Sequence, residues 1–467
     1  MAKSYSNDPV INRSLKHSVR DGAYFSVMAG AGESYFTAFA VFLKASTAQI
    51  GFLASVPPLL ASFAQLLSAW LGHKTGKRKA IIVTGALLQG MIWVPLALLP
   101  LWLPGHAIPL LIICVILYYA FGNLTSPQWS SLMGDLVEER KRGRYFARRT
   151  RIASLMSFSA LVIAGVILQY FNENQKTVIG YLLIFSIAFI ARLVSVYHLT
   201  QMYDPPGHVA AMEIPVSQDN WQWLKQSQFL RFSLFFTLIQ FSVAIASPFF
   251  SLYLLRDLHF SYMEFMACTA SGVLMQFLTL SRWGKISDMF GNRVILVLCG
   301  ALIPLIPLLW LFSDSFYYLL CTQALSGFVW SGFTLSVGNF LYELIPSDKR
   351  ATFLAFHSVS ANVGVFFGAM LGGYLGATLP QSFSLFGHNV VWLSALYNIF
   401  ILSFLLRLFA AALFLPRIKE VRKSRRAAIT RLIFRINRFN PLTGLIFDIV
   451  GSRRKSPTND LLNKKSD

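Results

Sequence analysis

Long apolar runs alternate with short polar ones along the whole chain. A helix needs about 20 apolar residues to cross a bilayer. Twelve runs qualify, at residues 22–43, 49–71, 80–102, 108–133, 152–172, 178–200, 229–254, 261–283, 294–313, 315–342, 352–379 and 389–415. The pattern predicts an all-α membrane protein of twelve transmembrane helices. The longest polar stretch between runs, QMYDPPGHVAAMEIPVSQDNWQWLKQSQ at 201–228, divides six runs from six, and Pro205-Pro206-Gly207 stops any helix continuing from the sixth. The expected organisation is an N-terminus (1–21), a first half (22–200), a central loop (201–228), a second half (229–415) and a tail (416–467).

The halves echo each other. GDLVEERKRGRYFARRTR at 134–151 is answered by YELIPSDKRA at 342–351. Asp135-Leu136-Val137 matches Glu343-Leu344-Ile345, and Arg142 matches Arg350, each 208 positions later. A repeat of this length indicates one six-helix unit used twice, with an even number of spans giving both copies the same orientation.

Composition agrees. Charged residues make up 13% of the chain, against about 25% in soluble domains. The net charge of +21 could suggest nucleic acid, but its placement argues for topology. Of 41 Lys and Arg, 36 fall in the N-terminus, the even-numbered loops and the tail; the opposite loops hold only Lys44, Lys176 and Arg256. The positive-inside rule then puts both termini in the cytoplasm of a cell (inner or plasma) membrane, with no nucleic-acid partner. No cleaved signal peptide is expected from the polar N-terminus. Cys114, Cys268, Cys299 and Cys321 all lie in apolar runs without a CxxC pair, so they read as packing residues, with no metal or cofactor implied. In the tail, Ile429, Leu432, Ile433 and Ile436 keep helical spacing beside Arg431, Arg435 and Arg438. That is the pattern of a basic helix lying on anionic headgroups.

The loop after the eighth run reads Gly284-Lys-Ile-Ser-Asp288-Met-Phe-Gly291-Asn292-Arg293. It resembles the loop signature of the major facilitator superfamily: glycine, three residues, aspartate, two residues, glycine, then basic residues. The loop after the second run keeps Gly76, Lys77 and Arg78 but has His73 at the aspartate position and Ala69 at the first glycine. The resemblance covers the whole chain, through span count, six-plus-six division and central polar segment. It implies a charge latch at the cytoplasmic face, with Asp288 facing Arg148, Arg149 and Arg151. Asp135 with Arg142, and Glu343 with Arg350, would be companion pairs. It also implies a central cavity lined by spans one, four, seven and ten, making Asn123, Gln128, Gln240, Gln323, Tyr35 and Trp330 candidate solute contacts. Glue between helices is the competing role for each amide.

Glu33, in Gly30-Ala-Gly-Glu-Ser-Tyr35, is the acid nearest the middle of any run. A charge there costs about 2.5–3.5 kcal/mol on the insertion scale. Such a residue faces a cavity or a partner, and its candidate roles are proton coupling, contact with a cationic or hydroxylated solute, or an interhelical hydrogen bond. Gly30 and Gly32 would let a neighbour approach closely. Gly364, Gly368, Gly372 and Gly376 form a small-residue stripe in span eleven, Pro57-Pro58 is expected to kink span two, and Arg407 is expected to snorkel to the surface.

These observations predict a secondary active transporter of a small solute, working as a monomer by alternating access and coupled to protons. Facilitators, lipid movers and non-transporting receptors share such a fold. An enzyme is disfavoured by the scarcity of clustered His, Asp or Cys in the spans, and no GxxxxGK[ST] loop is present.

Overall fold

In the computed structural model the described residues are 8–102, 106–138, 141–205, 228–345, 350–385, 388–391 and 393–418. Their helices group into twelve rods, one at each apolar run. Span one is Pro9–Ala31 and Phe36–Phe42, span two Thr47–Thr75, span three Arg78–Met91 with Trp93–Trp102, and span four Ala107–Leu136. Spans five and six are Arg142–Glu173 and Thr177–Thr200. Span seven is Gln228–Ala244, Ser247–Leu252 and a π-helical turn, Tyr253–Asp257. Spans eight to twelve are Tyr262–Phe290, Asn292–Leu302 with Leu305–Leu309, Phe316–Leu344, Arg350–Thr378 and Leu396–Phe414. Ten of the helices are long and apolar enough to cross a membrane. Spans one and ten fall outside that set: the first is interrupted at Gly32–Tyr35, and the tenth is rich in Tyr, Ser and Gly.

Both ends of the predicted pattern need correction. Span one starts at Pro9, not 22. Asp8 caps it by accepting from the Val10 amide (2.7 Å), and the polar residues that follow are buried rather than solvated: Ser14, Ser18 and Asp21 are all under 5% exposed. Span twelve starts at Leu396, not 389. Residues Ser382–Leu385 and His388–Val391 instead pair as an antiparallel hairpin, β1 and β2, and the Ser394 hydroxyl accepts from the Leu396 amide (3.1 Å) to open the helix. The central loop from 206 to 227 and the tail from 419, including the proposed headgroup-binding helix, lie outside the described residues.

The glycine positions of the loop signature have a backbone reason. Gly76 ends span two at φ 62° and Gly291 ends span eight at φ 87°, conformations that cost a side chain energy and glycine little. The stripe of span eleven also resolves. Gly364 and Gly368 lie on the carbonyls of Thr237 and Phe241, and Gly372 on that of Ile245, so span eleven packs backbone-to-backbone on span seven.

The halves meet unequally at their two ends. At the end away from the basic loops one continuous core takes residues from both, among them Phe39, Tyr181, Phe249, Met266 and Phe400. Among the described residues three hydrogen bonds cross between the halves there. Arg256 donates to the Thr47 hydroxyl (3.0 Å), Met263 N to Gln169 Oε1 (3.2 Å), and Tyr181 to Tyr262 (3.2 Å). Gly51 of span two abuts Gly373 of span eleven. At the basic end the core splits in two. One cluster, with Leu15, Ile82, Leu132 and Leu199, belongs to the first half. The other, with Phe232, Ile286, Ile295 and Leu415, belongs to the second.

Candidate functional site

Span one breaks at Glu33. Gly32 leaves helical geometry (φ −113°, ψ −66°), and Glu33–Tyr35 form a single 3₁₀ turn. Both flanking glycines are needed by neighbours: the backbone of Ser157 occupies the space beside Gly30, and the Trp93 ring that beside Gly32. The turn releases the Glu33 carboxylate sideways. Its Oε2 accepts from the Tyr118 hydroxyl (3.0 Å) and its Oε1 from that of Tyr119 (2.9 Å).

The carboxylate faces a cavity of about 290 Å³ between the halves. Glu33, Phe36 and Thr37 line it from span one, and Tyr119 and Val115 from span four. Leu53, Ala54 and Pro58 close it from span two. From the second half come Ala244, Ser247 and Pro248, at the break in span seven, and Val365 and Ala369 of span eleven. The breaks of spans one and seven thus face each other across the cavity.

The other predicted solute contacts fall elsewhere. Tyr35 is fully buried and donates to the Leu161 carbonyl (2.7 Å), tying the break to span five. Gln128 is buried and donates to the Ser68 carbonyl (2.7 Å), joining spans two and four. Asn123 accepts from Gln65 (2.6 Å) one turn from Tyr119. Gln240 keeps a buried Oε1 without a partner among the described residues. Gln323 lies on the seam of spans eight and ten, its carbonyl beside Gly272. Trp330 packs edge-on to Phe333 (5.7 Å). No residue of span ten lines this cavity among the described residues; spans two and eleven supply walls that the resemblance assigned to it. The residues that sequence reasoning missed are Tyr118 and Tyr119. Two adjacent phenols one turn before Asn123 were the available signal.

Charged groups gather at the basic end. Arg78, 5% exposed, donates to Asp135 (2.5 Å) and to Asp204 just after span six (2.6 Å). The partner described for Asp135 is Arg78, which the sequence pattern did not offer. At the matching place in the second half, Asn292 donates to Glu343 (2.8 Å), while Arg293 donates to the Ile418 carbonyl (2.6 Å). Gly284 has open space around it. The side chains of Asp288, Arg142 and Arg350 lie outside the described residues. A second buried network was not foreseen. Asp21 accepts from Ser195 (2.7 Å) and Arg149 (3.3 Å), and Ser195 in turn accepts from Arg192 (2.9 Å). Arg407 does not snorkel. It is 1% exposed and donates to the carbonyls of Val243 (3.3 Å) and Ile303 (3.4 Å), where spans seven and nine break.

Residues 23–388 match the model of the MFS_1-like family. The chain belongs to that family. Its fold is shared with solved transporters of low sequence similarity. A bacterial homologue of the human lysosomal transporter Spinster, in an inward-facing and occupied conformation, superposes with a TM-score of 0.67 at 13% identity, over 91% of this chain and 100% of that one. The nucleoside transporter NupG gives 0.63 at 14% identity, over 88% and 100%. An auto-inhibited POT-family peptide transporter gives 0.65 at 12%, over 89% and 99%. A short stretch of 89 residues is 33% identical to Hexose transporter 1 of Toxoplasma gondii, spanning 19% of this chain and 16% of that protein. The chain is thus a multi-pass membrane protein with a transporter fold.

Proposed function

We propose that this protein is a secondary active transporter that moves a small solute by alternating access, with Glu33 as its proton-coupling group and its basic end in the cytoplasm. One observation carries the reading: a carboxylate at a helix break lines a cavity between two halves that share a core at one end only. A carboxylate held inside a bundle is expensive, and a transporter uses that cost. The group binds a proton or a partner when the cavity faces one side and gives it up when it faces the other. The separate cores at the basic end leave the cavity facing the cytoplasm, and the seam of Thr47, Gly51, Gly373 and Arg256 is the closed gate. The Arg78, Asp135 and Asp204 cluster, with Asp288, Arg142, Glu343 and Arg350, would engage as the cytoplasmic gate when the halves rock the other way. A facilitator would use the same cavity without coupling.

The test is a thermal-shift screen of the purified protein at two pH values, with Glu33→Gln alongside, followed by uptake into proteoliposomes. A ligand at a hundred times its Kd adds about 2.7 kcal/mol of stability, enough to detect. Saturable uphill uptake that follows a pH gradient in the wild type, and becomes pH-independent and only downhill in Glu33→Gln, is expected. Downhill uptake alone in both proteins would leave a facilitator.

A further inference from the structure

Asp21 and Asp135, the other carboxylates held inside the first half, each meet an arginine, at 3.3 and 2.5 Å. Among the described residues Glu33 meets phenols and no cation. No Lys, Arg or His joins the lining of its cavity among the described residues. An ionised carboxylate offers about four lone-pair sites, so Tyr118 and Tyr119 leave about two for a ligand. The wall beside them is aromatic. Phe36 and Tyr119 both line the cavity with centroids 6.5 Å apart, and Phe36 is held in place by stacking on Trp93 at 5.3 Å.

A carboxylate beside ring faces suits an ammonium group. The charge pairs with the carboxylate, and each ring adds a cation–π contact. The rest of the wall argues against other classes. Besides Glu33 and Tyr119 its polar side chains are the hydroxyls of Thr37 and Ser247, with no amide. A sugar or nucleoside would leave most of its polar groups desolvated and unpaired here, which opposes binding. An anion would meet an uncompensated carboxylate. At about 290 Å³ the cavity sits at the lower end of ligand-pocket volumes, which run about 300–1,000 Å³, so the solute is small.

We propose that the cavity takes a small organic monocation, a substituted ammonium with apolar substituents, and that this cation and a proton compete for Glu33. The inference rests on the transporter reading above with Glu33 as the coupling group. It turns that reading into exchange: one proton leaves the carboxylate for each cation that binds, and charge balances.

The test uses full-length protein in nanodiscs, with choline and tetraethylammonium as cations that cannot carry a proton themselves, glucose and uridine as neutral probes, and benzoate as the anion. Binding is followed by calorimetry from pH 5 to 8.5, and proton release by a pH dye in weak buffer. Choline or tetraethylammonium is expected to bind with release of one proton, its affinity falling towards about tenfold per pH unit on the acid side. Glu33→Gln is expected to lose both effects. If that variant fails to fold, Glu33→Asp is expected to keep the competition at an altered affinity. Failure of both cations to bind at any pH overturns the proposal. Cation binding indifferent to pH and to Glu33→Gln overturns it too. Glucose or uridine binding with proton uptake would overturn the cation class and leave proton coupling standing, whereas neutral binding without any proton change would overturn both.

Discussion

Gly368→Ala is the sharpest test of how span eleven is seated. A Cβ at this position would lie 2.1 Å from the Phe241 carbonyl oxygen. That neighbour is backbone and cannot rotate away. Ordinary contact starts near 3.4 Å, so spans seven and eleven must part by more than 1 Å locally. Overpacking of this kind costs about 1–3 kcal/mol. Against it stands the helix propensity gained on replacing glycine with alanine, about 1 kcal/mol. Gly338→Ala in span ten supplies the control, because among the described residues nothing lies within 4 Å of its added Cβ, which leaves the propensity gain to act. The difference between the two variants therefore isolates the steric term, at about 1–3 kcal/mol. Unfolding midpoints of the purified variants in the same detergent, read by tryptophan fluorescence, give the comparison. Gly338→Ala should match or exceed the wild type and Gly368→Ala should fall below it. A Gly368→Ala midpoint equal to that of Gly338→Ala would refute the backbone-on-backbone packing.

The two phenols on Glu33 should separate by role. Tyr118 is 1% exposed, so Tyr118→Phe should lower stability by about 1–3 kcal/mol, whereas Tyr119→Phe, on the cavity wall, should chiefly change solute affinity; unfolding and binding measured side by side check this. Arg78→Met removes a buried cation from two carboxylates and should cost about 3–5 kcal/mol. Adding Asp135→Asn and Asp204→Asn should recover most of that, and full stability of the single variant would dismiss the cluster as a structural element. Cysteines at Thr47 and Arg256, joined by a bifunctional maleimide across the closed end, should abolish uptake while binding from the basic end persists; uptake unaffected by a complete cross-link would argue against alternating access through that gate.

Hydropathy read from the sequence placed most of the rods to within a few residues, because an apolar run of bilayer length has few other uses. It missed the start of span five, at Arg142 rather than 152, and those of spans one and twelve, the last two for opposite reasons. Residues 9–21 look polar, yet Asp21 and Ser18 are buried against Arg149 and Ser195, so polar groups satisfy one another inside the bundle. Residues 388–391 look apolar enough for a helix but pair as a strand. Glu33 was legible because a lone acid in an apolar run must be compensated somewhere. Its partners were not, since Tyr118 and Tyr119 read as part of the apolar run that hides them. The amides show the limit most clearly. Gln128 and Gln240 look alike in sequence, and only the helix face decides that one clamps span two while the other keeps an unpartnered oxygen.

The two halves repeat the fold but not the charge. The last span of each half carries a buried arginine packed on the third span of that half: Arg192 against Gly90, Arg407 against the Ile303 carbonyl. In the first half Asp21 answers Arg192 through Ser195. In the second, Arg407 is met by two carbonyl oxygens and by no carboxylate among the described residues. The basic end differs in the same sense: the acid at the end of span four holds an arginine, Arg78, and the acid at the end of span ten holds an amide, Asn292. A duplicated unit begins with the same groups in both copies, so differences mark where each has taken on a separate task. The first half keeps Glu33 and the ion pairs of Arg78 and Arg149. The second lends the cavity its apolar wall and, through Gly364, Gly368 and Gly372, a smooth surface between spans seven and eleven. On the reading proposed above, titration and ligand charge then act on the first half.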